Sequence, residues 1–148
     1  MIEKYRLTKN NSLRPDVISF TSTIKAWVGH IDGGSKALEI LNEMYKQHEN
    51  GNIRAIPDTK ALSIAMDACV RSNLLEDASR ILDSVDDKQK SRVMFNTLIS
   101  AYKFSGQCEE AETLLRKMKI LSNNGFSNCS PDSTTYAMCI SAVSLLGI

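Results

Sequence analysis

The residues able to do chemistry are few and scattered. The four cysteines, Cys69, Cys108, Cys129 and Cys139, form no CxxC pair, and with two histidines in the chain they do not assemble a zinc set. They read as reduced, structural thiols, and no metal or other cofactor is expected. His30 falls in a turn and His48 near a helix end, neither in register with a nucleophile, so surface or capping roles suit them. Glu109–Glu110 opens a helix, where the dipole favours acids, and Asp86–Asp87 sits in a connector; neither makes an acid–base pair. No glycine-rich phosphate loop occurs. These patterns predict a protein that is not an enzyme and has no small-molecule substrate.

The composition is that of a folded domain, with 43% hydrophobic and 24% charged residues among 148. Net charge is +1, so any nucleic-acid surface has to come from how the charges are distributed. No apolar run is long enough for a bilayer, and no membrane partner is expected. The opening MIEKYRLTKNNSLRPD has neither a signal-peptide core nor the composition of a transit peptide.

The element that organises these residues is FNTLISAYKFSGQCEEAETLLRKM, Phe95 to Met118. Phe95, Ile99 and Tyr102 share one helical face, and Ala111, Leu114, Leu115 and Met118 share another. Gly106 between them suits a left-handed helix end, so the stretch predicts a helical hairpin. Altered copies flank it. Phe20, Ile24 and Trp27 pair with Ala37, Ile40, Leu41 and Met44 across a Gly29–Gly34 turn. Leu62, Met66 and Cys69 pair with Ala78, Ile81, Leu82 and Val85 across Asn73, the usual substitute for glycine at such a cap. Tyr136, Ile140 and Val143 open a fourth copy that reaches Gly147.

Small residues keep the register. Ala26, Ala68, Ala101 and Ala142 recur in the first helices and Ala37, Ala78 and Ala111 in the second, predicting close helix approach. The copies are spaced by 42, 33 and 41 residues, and the extra length is expected in the connector after each second helix. The prediction is an all-α fold, an α-solenoid of antiparallel helical hairpins. Residues 1–16 read as the remnant of a preceding repeat plus a linker, 17–58 as repeat one and 59–91 as repeat two. Residues 92–132 are repeat three and 133–148 a truncated repeat four, so the sequence reads as part of a longer array.

Phe95-Asn96-Thr97-Leu98-Ile99, Ala101-Tyr102, Gly106, Glu110-Ala111 and Met118 together resemble the pentatricopeptide repeat (PPR), of the P type with lengthened connectors. Pro15-Asp16, Pro57-Asp58 and Pro131-Asp132 match the Pro-Asp that closes that family's unit, which the second repeat lacks. The tetratricopeptide pattern fits less well, because Trp27 is misplaced for it. The resemblance implies a right-handed superhelix, residence in a mitochondrion or plastid, and binding of single-stranded RNA in its processing, stability or translation.

In that family each repeat reads one base, using the residue after the first-helix aromatic and the last residue of the repeat. Carried over, the base-contacting pairs are Thr21 with Asp58, Ser63 with Ser91, and Asn96 with Asp132. By the family rule the first resembles a guanine reader and the third a uracil reader, while the serine pair is nonstandard and Ala137 in the fourth copy donates nothing. Ile18 and Val93 match the aliphatic residue that flanks each base; Lys60 and Thr134 depart from it, and Lys60 suits a phosphate instead. Asp58 and Asp132 have a second reading as helix caps. First-helix segments carry Lys25, Lys60, Arg71, Arg92 and Lys103 against Asp58 and Asp67, placing positive charge on the face the family uses. The alternative from another class is a protein-interaction scaffold whose concave face holds a peptide or a ribosomal partner.

Overall fold

A computed structural model describes residues 15–144, and side chains as far as residue 141. The expected helix remnant before Pro15, the side chains of Ala142 and Val143, and Gly147 lie outside the described residues. The helices are α1 (Val17–Trp27), α2 (Gly33–Glu49), α3 (Thr59–Arg71), α4 (Leu75–Ser84), α5 (Arg92–Ser105), α6 (Cys108–Asn123) and α7 (Ser133–Ser144). Among the described residues there are also two short 3₁₀ turns, Ile53–Ala55 and Ser127–Cys129, and no strand. The fold is all-α and built of helical hairpins, as the periodicity predicts.

The helices form two compact units, one ending at Leu74 and the other beginning at Leu75. In the first, α1, α2 and α3 pack on one another. Phe20, Ile24, Ala37, Leu41, Met44, Leu62, Met66 and Cys69 fill its core. In the second, α5, α6 and α7 pack mutually and α4 lies on α5. Its core holds Leu75, Ile81, Leu82, Phe95, Leu98, Ile99, Tyr102, Leu114 and Met118. Burying each of the large side chains contributes about 1.5–3 kcal/mol. Ala37, Ala78 and Ala111 are fully buried, as close helix approach requires. Ala68 is buried and Ala101 half-buried, but Ala26 is exposed, because nothing among the described residues covers that side of α1.

Helix ends follow the expected chemistry. Gly106 has φ +77° and Asn73 φ +60°, so both occupy the left-handed region assigned to them. The N–H of Gln107 reaches back to the carbonyl of Tyr102 at 2.9 Å, and that of Leu74 to Cys69 at 2.8 Å, closing the last turn.

The extra length of repeats one and three is distributed differently from the expectation. Most of it lies in the second helix: α2 has 17 residues and α6 has 16, against 10 in α4. The connectors that follow are folded, and in the same way. Asn50-Gly51 and Asn124-Gly125 end the helices, with φ +95° and +98° at the glycines. Asn52 N–H bonds to Gln47 O at 2.9 Å, and Phe126 N–H to Leu121 O at 3.0 Å. Each 3₁₀ turn then buries one small residue completely, Ala55 or Cys129. Ile56 (φ −63°, ψ 128°) and Ser130 (φ −62°, ψ 127°) extend the chain into the Pro-Asp pair.

Each connector also bonds to the residue just before its own repeat's first helical cap. Asn52 Nδ2 donates to Pro15 O at 2.8 Å, and Cys129 Sγ lies 3.3 Å from Lys90 O. Asn52 is 3% exposed, so Asn52→Ala strands a buried carbonyl and is expected to destabilise the chain by about 1–3 kcal/mol. At Gly34 an added Cβ would stand 2.8 Å from Ser72 Cβ and 2.9 Å from Leu74 Cδ1, so Gly34→Ala should cost about 1–3 kcal/mol through overpacking. Urea unfolding of both variants checks these values, and a change under about 0.5 kcal/mol would contradict them.

Candidate functional site

The last residue of each expected repeat is the N-cap of the next first helix. Asp16 Oδ1 accepts from Ser19 N at 2.9 Å, Asp58 Oδ1 from Ala61 N at 2.8 Å, and Asp132 Oδ1 from Thr135 N at 2.9 Å. Ser91 does the same with Met94 N at 3.4 Å. Such caps contribute about 1 kcal/mol each and fix the carboxylate or hydroxyl at the helix entrance. The capping reading of Asp58 and Asp132 is therefore observed, and a cap leaves the second carboxylate oxygen for another partner.

Thr21 and Asp58 come together. They line one cleft of about 170 Å³ with Val17, Ile18, Ser22, Lys25, Lys60 and Ile64. Thr21 Oγ1 donates to the Val17 carbonyl one helical turn back, which commits its only proton and leaves its oxygen as an acceptor. Ile18 is 71% exposed at the rim of the cleft. The site thus combines two acceptors, two ammonium groups and an exposed aliphatic surface.

Asn96 and Asp132 are joined through Thr135. The Thr135 hydroxyl oxygen lies 2.8 Å from Asn96 Oδ1 and 2.8 Å from Asp132 Oδ1, and Thr135 itself is fully buried. Arg92 approaches the other oxygen of Asp132 at 3.5 Å and donates from Nε to Ser130 O at 2.6 Å. Val93, one turn from Thr97 on α5, is 73% exposed. The remaining pair is divided between the units, with half-buried Ser63 on α3 in the first and Ser91 capping α5 in the second.

Thr135 is the residue that sequence reasoning missed. The stripe expected on the fourth first-helix is Tyr136, Ile140 and Val143; of the two whose side chains are described, Tyr136 is 41% and Ile140 66% exposed, and Thr135 and Cys139 are buried instead. The face of α7 that is covered is the one against α5 and α6. No second helix follows α7 among the described residues, and the Tyr136–Ile140 face stays partly exposed there, with Lys119 of α6 lying 5.3 Å from the Tyr136 ring. The signal available was a hydroxyl three residues after a capping Asp, which is also found at Ser19 after Asp16.

The architecture is that of a helical-hairpin repeat protein. Residues 93–122 match the family model described as PPR repeat. Over 147 residues, 99% of its length, the chain is 25% identical to an Arabidopsis thaliana protein named as pentatricopeptide repeat-containing. The chain spans 19% of the length of that relative. The resemblance read from Phe95 to Met118 is thus found independently in that hairpin and along the chain.

The Thr135 backbone N–H, then its hydroxyl, and more weakly Arg92, hold the Asp132 carboxyl below its ordinary value of 3.8. A carboxyl lowered on folding stabilises the fold fully above that ordinary value, and the contribution is lost as pH falls through the lowered one. An NMR titration of the side-chain carbon should therefore place the Asp132 midpoint below 3.8. In Asp132→Asn, which keeps a capping oxygen without a titrating group, that part of the acid-induced loss of stability should disappear.

Proposed function

We propose that this chain is part of a non-catalytic, single-stranded RNA-binding repeat array, acting in a mitochondrion or plastid on RNA processing, stability or translation. The observation that carries the reading is the cleft shared by Ile18, Thr21, Lys25, Asp58 and Lys60. Its two oxygen acceptors suit a base edge that donates, such as guanine N1–H and N2–H. Its two lysines suit phosphates, and the exposed Ile18 suits the flat face of a base. The family resemblance assigns a guanine reader to the same pair. Asn96 with Asp132 offers an amide steadied by a carboxylate, and the resemblance assigns uracil there.

A pool selection on the intact protein should enrich an RNA register with G, any base, then U, and Asn96→Thr should shift the base at the third place. Binding indifferent to Asn96→Thr, or no binding even at low salt, would remove the sequence-reading claim. Lys25→Ala and Lys60→Ala should each reduce the slope of log affinity against log salt by about 0.7, because each releases one phosphate contact on a single strand.

A further inference from the structure

We propose that Thr135 is a specificity-determining positioning residue, whose hydroxyl turns the Asn96 amide so that its carbonyl, rather than its N–H, faces the base. The inference rests on the RNA-reading function proposed above and concerns the third pair alone.

The argument is a count of protons. Thr135 Oγ1 lies 2.8 Å from an oxygen of Asp132 and 2.8 Å from Asn96 Oδ1, and a threonine hydroxyl has one proton to give. The carboxylate is the charged acceptor and takes the stronger bond. The low-lying titration of Asp132 keeps it in that form at neutral pH. Ser19 shows the same assignment, its hydroxyl giving its proton to the capping Asp16 carboxylate at 3.0 Å. With the proton on the Asp132 side, two bare oxygens would face each other at Asn96. Rotation of the amide by half a turn removes that repulsion: Nδ2 then donates to Thr135 Oγ1, and Oδ1 moves to the outer position.

The consequence is a choice between bases. An outward carbonyl accepts from a ring N–H, which uracil carries at N3. Cytosine has a bare acceptor at the same place and would meet the carbonyl oxygen lone pair to lone pair. The first pair has no such latch. The residue three after Asp58 is Ala61, which has no hydroxyl, and Thr21 is tied to its own helix. In the third pair the base preference is therefore set by a buried side chain that never touches RNA.

Three variants test the latch. Thr135→Val keeps the shape without the hydroxyl, Thr135→Ser keeps the hydroxyl, and Asp132→Asn keeps a cap without the charge. The first readout needs no RNA. In the isotope-labelled chain one Asn96 side-chain amide proton should exchange slowly, in Thr135→Ser as well, and rapidly in Thr135→Val. An amide unchanged in Thr135→Val overturns the latch whether or not RNA binds. The second readout is the affinity ratio for two RNAs that differ only in U or C opposite Asn96. The expected preference for U is about tenfold, retained in Thr135→Ser and reduced to about twofold or less in Thr135→Val and Asp132→Asn. A U preference that survives Thr135→Val overturns the proposal, whatever Asp132→Asn does. If no RNA binds the unaltered protein, the functional reading falls, and the amide exchange still decides whether the latch exists.

Discussion

A side-chain oxygen at the entrance of each first helix sets the geometry of the rest. Asp16, Asp58, Ser91 and Asp132 each accept a backbone N–H three residues on, and in doing so fix where the following helix starts. A cap is a local interaction, but here its partner helix packs on the helices of the preceding repeat, as α3 packs on α1 and α2, and α7 on α5 and α6. The position of the capping oxygen relative to Thr21 or Asn96 therefore follows from helix packing. One atom group closes a helix and stands beside the residue proposed to meet a base. Removing it would disturb the observed cap together with the proposed recognition, so the two are separated by isosteric changes rather than by deletion.

The two connectors show how a repeat can be lengthened without loosening its ends. Asn50-Gly51 and Asn124-Gly125 stop long second helices, and six residues after each glycine the same Pro-Asp resumes the pattern. Between them the backbone follows a similar course, with φ −83° and ψ 85° at Asn52 against −87° and 74° at Phe126, while the side chains differ, as at Ala55 against Cys129. Most of the bonds that hold the turn are backbone to backbone, so residue identity is free to vary where no positive φ or burial constrains it. The helix-entrance geometry is thereby insulated from length. The last residue of a long repeat returns to the same capping position as that of the short one.

The hairpins were legible because apolar spacing, left-handed caps at Gly106 and Asn73, and buried alanines are properties of single helices that the sequence states directly. The folded connectors were less legible. Their bonds to Pro15 O and Lys90 O come from unlike side chains, Asn52 and Cys129, leaving Asn-Gly and Pro-Asp at fixed separation as the only shared pattern. Thr135 was hidden for another reason. The apolar stripe picked out Tyr136 one residue away, and periodicity cannot say which face of a helix will be covered when only one side has neighbours. Ala26 makes the same point: a small residue permits close approach, but Ala26 is exposed and no helix among the described residues packs there.

The bonds from connector to repeat entrance have a mechanical meaning. Asn52 to Pro15 O closes a ring across 37 positions, and Cys129 to Lys90 O, with Arg92 to Ser130 O beside it, closes one of similar size. Each long repeat is then a clasped loop rather than a link held only at its faces. Tension along the chain would load the clasp before it could peel the two helices apart. The entrance and the exit of a long repeat are thus tied to each other directly, and not only through the helices between them.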